Sequence, residues 1–475
     1  MHSPFRTLSL ALIPLAFASA AHAQQTLTLA DAVRLAEHES EDVRIARAGA
    51  ERARGQYQQA RSQLFPQITG SASYQRAIQL QFQEIAKRVG GGGSDTGSSS
   101  SNSFADSPLA RVFASANTMI LGISGSQMVY SGGRVRANIA ATEAGRRAAD
   151  LGTRAARAQN IYDVAQAYFD AEVADRLLEI ADSSFAQAER AVRQTQQGRD
   201  VGNVAEYDLI RARVQRDNAR PAVIAARAQR DVAFVRLRQL LNLPDNQALA
   251  LATSLDTLPA SSAAELRAVS DLVAATPDTS AASRLPVKQA EEGVRAQEQL
   301  LRATRGERLP QIAVTSNYQR FSYPSGVFED RIKMYFPNWT VSLGVSMPFY
   351  TGGRLEGERV VASANLTEAK ERYTQAKEAA TLDTRLTLAQ LERAEATYAA
   401  SAGTDEQASR AYAIAEVRFN EGLATQLELS QARVDLGTAR ANRIEAARDL
   451  ALARLRMALI HDLPLGAATA TAGSR

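Results

Sequence analysis

Few side chains in this sequence are equipped for chemistry. There is no cysteine, and of four histidines only His38 and His461 lie beyond residue 23. A zinc site needs several His or Cys ligands at close spacing, and a nucleophilic triad needs a histidine held against its nucleophile. Metal-assisted and covalent catalysis both lack their parts, so no catalytic residue, metal site or cofactor is assigned and the chain is not read as an enzyme. Two acids stand out by position instead. Asp208 lies six residues after Gly202, and Glu428 six residues after Gly422. Each glycine suits the left-handed residue that ends a helix. The acids have a local use as helix starters, because Thr425-Gln426-Leu427-Glu428 is a capping box and Asn203 with Glu206 is a similar signal.

Those equivalent turns belong to a chain that contains itself twice. Tyr130-Ser131-Gly132-Gly133-Arg134 returns as Tyr350-Thr351-Gly352-Gly353-Arg354, 220 residues on (350 against 130). The same displacement carries Gly202 onto Gly422, Asp208 onto Glu428, Ala212-Arg213 onto Ala432-Arg433 and Leu243-Pro244 onto Leu463-Pro464. Upstream, Pro66-Gln67-Ile68 matches Pro310-Gln311-Ile312 at a displacement of 244 (310 against 66), so the first copy holds 24 extra residues between its Pro and its Tyr. Repeats decide architecture before other signals do. The copies are placed at 24–250 and 286–465, with a connector over 251–285 and a tail over 466–475.

The first 23 residues read as an export signal: Arg6, an apolar stretch from Leu8 to Ala18, then Ala21-His22-Ala23 before Gln24. That stretch is too short to span a membrane as a helix. With no Cys after the cleavage site, an N-terminal lipid anchor is not expected. Without Arg6 the balance is 54 basic against 51 acidic residues, interspersed along the chain. Such a surface is solvated and carries no nucleic-acid footprint.

More than half of the 28 aromatic residues fall within 61–133 and 305–352, the windows with period-two patterning. Trp339, Val341, Leu343, Val345, Met347 and Phe349 alternate with Thr340, Ser342, Gly344 and Ser346. Four strands are expected, at about 66–82, 117–130, 310–323 and 338–350, in two hairpins. Their second face is small and uncharged, and their length suits either a soluble sheet with one wet face or tilted strands crossing a bilayer. Aromatics near the run ends, Tyr130, Tyr323, Trp339, Phe349 and Tyr350, fit an interfacial girdle. The tip of the first hairpin holds Gly90 to Gly93 and Ser98 to Ser101, a low-complexity loop that accounts for the 24 extra residues. Helices are expected over 29–64, 134–197, 203–241, 285–308, 354–420 and 425–460, with a short one near 263–275. The two longest would reach roughly 95–100 Å if continuous. Four strands cannot close a barrel, and an open sheet edge is not tolerated in hydrocarbon, so membrane strands here require several chains in one barrel.

In these features the chain resembles the TolC family of outer-membrane efflux and secretion channels along essentially its whole mature length. The resemblance rests on Phe65-Pro66-Gln67-Ile68 and Leu309-Pro310-Gln311-Ile312, on the two Tyr-x-Gly-Gly-Arg turns, and on the helical tips 201–213 and 421–433. It implies a fold that joins a membrane β-barrel to a long α-helical barrel. A homotrimer would share twelve strands, with a long periplasmic extension from the outer membrane of a Gram-negative-type cell. It also implies a periplasmic adaptor and an inner-membrane efflux pump or ABC exporter as partners, with outer-membrane lipid around the strands. Glu428, Gln431 and Asp208 would line the entrance, while Gly202, Asn203, Gly422 and Leu423 would form the tip turns that meet the adaptor. Gly132, Gly133, Gly352, Gly353, Pro66 and Pro310 would set the strand–helix turns. Some members carry an acid where this chain has Gln431 and an Arg where it has Ala424, so a less charged entrance is expected. The main alternative is a periplasmic adaptor, which would show one helical hairpin flanked by Gly-rich β segments. An exported hydrolase would need a constellation of acids or His that is not visible.

Overall fold

Glycine and proline punctuate the chain, and a computed structural model shows what lies between them. The structure describes residues 25–78, 117–202, 204–244, 249–252, 255, 266–267, 270–274, 278–322 and 336–466. The first hairpin tip, the export signal, Asn203, Tyr323 and part of the segment expected to hold a short helix near 263–275 (263–265, 268–269 and 275) lie outside them. The elements are β1 (Gln25–Leu27), α1 (Leu29–Glu39), α2 (Glu41–Ser62), β2 (Gln67–Arg76), β3 (Asn117–Tyr130), α3 (Arg134–Asp200) and α4 (Glu206–Leu240). They continue as β4 (Leu249–Leu251), α5 (Leu285–Gly306), β5 (Gln311–Ser322), β6 (Phe336–Ser346), α6 (Arg354–Asn420) and α7 (Gln426–Ala458). Among the described residues no helix is long and apolar enough to cross a membrane.

Several boundaries depart from the sequence reading. The helix expected over 29–64 is broken at Ser40, whose ψ of 129° is extended and starts α2 afresh. The strand expected over 338–350 begins at Phe336 and stops at Ser346. Pro348 has no N–H for a ladder and constrains Met347 before it, so Phe349 and Tyr350 lie beyond the strand. The strand expected over 66–82 ends at Arg76, and α3 runs on to Asp200 rather than 197. α4 starts at Glu206, not 203, because Ala205 is its N-cap. The short parallel pair β1–β4, with Gln25 opposite Leu249, had no signature beyond three residues of each strand.

The compact units cut across the repeats. One unit comprises 47–152 and 287–378, and the other 1–46, 153–286 and 379–475. The first holds a four-stranded antiparallel sheet in the order β2-β3-β5-β6, in which β3 and β5 join the two hairpins. The second has an apolar core in which Leu29, Ile161, Tyr168, Phe169, Leu237 and Leu455 are almost fully buried. Alanines along α3 and α7 let these helices approach closely, and each large side chain so buried contributes roughly 2–3 kcal/mol. Tyr168 meets Phe169 edge-on at 6.1 Å and donates its hydroxyl to the Leu27 carbonyl at 2.8 Å, which fastens β1 to α3.

Candidate functional site

Opposed residues of an antiparallel ladder share a face, so the strand register sorts the sheet into two surfaces. One surface carries Ile68, Tyr74, Met119, Leu121, Ile123, Val314, Tyr318, Trp339, Val341, Leu343 and Val345. The other carries Thr69, Ser71, Gln75, Ser124, Ser126, Thr315, Asn317, Gln319, Thr340 and Ser342, with Ile120, Phe321 and Phe336 toward the strand ends remote from the helices. Its side chains pair laterally, as Thr315 and Ser342 do at 2.6 Å, and none of them is charged. A soluble antiparallel sheet hides its apolar side against a core. Here that side lies open, with Trp339 71% and Leu343 68% exposed. Among the described residues β2 and β6 each have one strand neighbour, so each keeps an unpaired edge.

Matched turns join the strands to their helices. Pro66 and Pro310 stand immediately before β2 and β5, where a missing N–H costs the ladder nothing. Just ahead of them Phe65 N–H donates to the Ser62 carbonyl at 3.0 Å, and Leu309 N–H to the Gly306 carbonyl at 3.1 Å. After β3 and β6 come paired left-handed glycines, with φ of 63° and 83° at Gly132 and Gly133, and 60° and 87° at Gly352 and Gly353. The copies differ in how closely the turn is approached. A Cβ on Gly132 would overlap the Gly306 carbonyl and stand 2.8 Å from the Leu309 Cβ, whereas the same atom on Gly133, Gly352 or Gly353 would meet nothing.

At the helical tips Gly202 and Gly422 hold φ of 81° and 75°. Their N–H groups return to the Arg199 and Phe419 carbonyls at 2.8 and 3.0 Å, closing α3 and α6. The next helices start differently. Thr425 caps α7 by accepting the Glu428 N–H at 3.2 Å, whereas Ala205, its counterpart, has no side chain to cap α4. An ion pair from Arg199 to Glu206 at 2.8 Å bridges the first tip. The second is held by Arg418, which donates to the Leu423 carbonyl at 3.3 Å. Glu428 and Leu423 are exposed and Asp208 is half-buried. Neither carboxylate has an ion pair among the described residues. Gln431 donates to Asp435 at 2.9 Å, and Gln215 on α4 donates to Ser430 on α7 at 3.1 Å, tying the two tips together. Nearby, burial lowers the pKa of the Arg433 guanidinium from its ordinary value, with Tyr412 as its neighbour on α6.

Glu428 heads a line of exposed side chains at three- and four-residue steps along α7: Gln431, Asp435, Thr438, Asn442, Glu445 and Asp449. That spacing stacks them on one face of the helix. No lysine or arginine interrupts the line. The matching positions of α4 read Asp208, Arg211, Gln215, Asn218, Ala222, Ala225 and Gln229, so only the second copy presents an acidic stripe.

The sequence profile described as outer membrane efflux protein matches residues 32–243 and 276–460, most of both copies. The chain belongs to the outer membrane efflux protein family. It is 28% identical over 262 residues to the outer membrane efflux protein BepC of Brucella suis; that match covers 55% of the chain and spans about half, 52%, of the relative. Its fold is shared with the open-state MtrE outer membrane channel of Neisseria gonorrhoeae, at a TM-score of 0.69 and 21% identity over 92% of this chain and 89% of that one. A membrane protein from Pseudomonas aeruginosa fits equally, with a TM-score of 0.69 and 20% identity over 92% and 93% of the two chains.

Within this member of the family the structure also assembles residues that the sequence reading passed over. Asp383 on α6 is buried and accepts from two buried arginines, Arg284 at 2.8 Å and Arg456 at 3.0 Å. Arg284 also donates to the Leu463 carbonyl at 3.4 Å, and Arg456 to Thr387 at 3.3 Å. Two segments, 73 and 99 residues away from Asp383 in the chain, are thereby pinned around its carboxylate. A signal existed: at the displacement of 220, Asp383 and Arg456 fall on Asp163 and Arg236, an acid and a base kept in both copies.

Proposed function

We propose that the protein is a trimeric outer-membrane exit duct that passes substrates from a periplasmic adaptor and inner-membrane pump to the exterior. The observation that carries this reading is the two-faced sheet with two unpaired edges. An apolar open face suits lipid, and an uncharged face of hydroxyls and amides suits a water-filled lumen. Hydrocarbon does not tolerate unpaired strand edges, so β6 of one copy would pair with β2 of the next, and three copies would close twelve strands. The exposed apolar side chains of the tips, among them Tyr207, Ile210, Val214, Leu427 and Val434, would then be covered by neighbouring copies or the adaptor.

In this assembly the acidic stripe of α7 faces the lumen, with Glu428 and Gln431 at the periplasmic entrance and Asp208 beside it. Three copies of Glu428, Asp435 and Glu445 crowd negative potential along the path, which attracts cations and repels anions, while Asp449 is matched by Arg448 at 2.8 Å. Opening would require the contacts between tips, Gln215 with Ser430 above all, to be exchanged for contacts with the adaptor around Gly202, Asn203, Gly422 and Leu423.

Planar-bilayer recordings of the purified protein test the reading. Cation preference is expected, and it should weaken in Glu428→Gln/Asp435→Asn, a change that keeps the Thr425 cap intact. Absence of any conductance, or recovery of the protein as a periplasmic monomer, would contradict it.

A further inference from the structure

The four strands contain two charged residues, Arg76 and Arg320. Both belong to the apolar face: Arg76 follows Tyr74 by two positions in β2, and Arg320 lies opposite Leu121 and Pro337. Both also sit toward the strand ends remote from the helices, since β2 leaves its helix at Gln67 and β5 leaves its own at Gln311. An arginine on a lipid-facing surface costs about 2–4 kcal/mol at mid-bilayer and close to nothing at the interface. Two such residues at the same end of an otherwise uncharged sheet therefore mark the outer interface: Arg76 stands four positions farther out than Arg320 (Asn117 against Leu121 on β3), with Tyr74 between their levels and Tyr318 and Trp339 just inside Arg320.

Arg320 is held for use. Its Nε donates to the Tyr318 hydroxyl at 2.9 Å and its guanidinium lies 5.8 Å from the Tyr318 ring, while no acceptor meets its terminal amines among the described residues. Below it an apolar hollow runs across the sheet between Ile68, Ile123, Val314, Tyr318 and Trp339. The hollow is chiefly apolar; the Trp339 N–H within it is already satisfied by Ser316 at 3.0 Å, and Ser126 and Gln127 line its end nearer the helices. A groove for a hydrocarbon chain that ends beneath an unpaired guanidinium is complementary to an amphiphile with an anionic headgroup. Guanidinium binds phosphate oxygens in a planar two-point fashion.

We infer that Arg76 and Arg320 form a binding site for the phosphate groups of an outer-leaflet phosphorylated glycolipid, whose acyl chain occupies the hollow beside Trp339. This rests on the strands crossing the outer membrane with their apolar face in lipid. Each protomer would carry one site, so lipid held there would seal the rim of the assembled barrel and set its depth.

The full-length protein would be reconstituted in phosphatidylcholine vesicles containing either bisphosphorylated lipid A or its dephosphorylated form, and the glycolipid retained on purification would be counted by native mass spectrometry. The unaltered protein should retain the bisphosphorylated form selectively. Arg76→Leu/Arg320→Leu should lower that retention roughly tenfold or more, at about one kcal/mol per surface cation. Arg76→Lys/Arg320→Lys should keep most of it. Excess inorganic phosphate should not displace the lipid, because the acyl chain contributes to binding. Quenching of Trp339 fluorescence by brominated lipid is the control for insertion. Quenching with glycolipid retention that ignores the arginines or the phosphates, or that free phosphate abolishes, overturns this site alone. Absence of quenching in the unaltered protein overturns the membrane placement and the site with it.

Discussion

Asp383→Asn is the perturbation whose effect is set most tightly by the structure. The change keeps the shape of the side chain and removes one charge. Arg284 and Arg456, only 0% and 5% exposed, would lose the carboxylate they share, with neutral Thr384, Thr387 and the Leu463 carbonyl left as acceptors. Breaking a buried pair by removing one partner costs about 3–5 kcal/mol, and two stranded cations put this site at the upper end. For a domain of a few hundred residues that corresponds to a fall in melting temperature of roughly 10 °C or more. Because the site already holds two bases for one acid, Arg284→Met should be much milder, as Asp383 keeps Arg456. Glu406→Gln, which breaks an exposed pair with Arg410, should shift melting by about 1 °C or less. The assay is loss of helical circular dichroism in detergent at a fixed scan rate, with limited proteolysis as a second readout. Asp383→Asn melting within about 2 °C of the parent, or Arg284→Met being the worse variant, would refute the reasoning.

Two further outcomes follow. Gly132→Ala and Gly133→Ala both place Ala at positive φ, which costs about 1–2 kcal/mol, but only the former drives a Cβ into the Gly306 backbone, for roughly 1–3 kcal/mol more; thermal melts should rank them in that order, and equal melting would contradict the close approach. Burial raises the pKa of Asp163 above its ordinary value, so near that raised value the folded chain binds more protons than the unfolded one and stability from this group falls as pH rises; Asp163→Asn should melt above the parent at neutral pH and lose that advantage as pH drops toward the ordinary carboxylate range, and a gap that widens on acidification would show the sign to be wrong.

Where a residue type alone forces a backbone state, the fold was legible in the sequence. The paired glycines after β3 and β6 and the single ones at the tips hold positive φ, which only glycine adopts at low cost. Alternation exposed the two faces of the sheet, because a period of two is unambiguous in strands flanked by Gly and Pro. Ser40 was legible but passed over: a serine followed by Glu41 and Asp42 is an N-cap ahead of an acidic first turn. Ala205 was missed as an N-cap for the opposite reason, since it caps by backbone position alone. The Arg284–Asp383–Arg456 cluster looked like solvated surface charge because its members are far apart in sequence. Its burial depends on three segments meeting in the fold. The acidic stripe of α7 needed only the helix register to be indexed from Glu428 onward.

Trp339 is the single tryptophan of the chain and lies on the open apolar face near the remote end of β6, so its fluorescence tests the placement of the strands without any substitution. In vesicles the account predicts blue-shifted emission that lipids brominated near the headgroup quench strongly. Emission at the wavelength of a water-exposed indole, unchanged by brominated lipid, would contradict an outer-membrane duct built on this sheet.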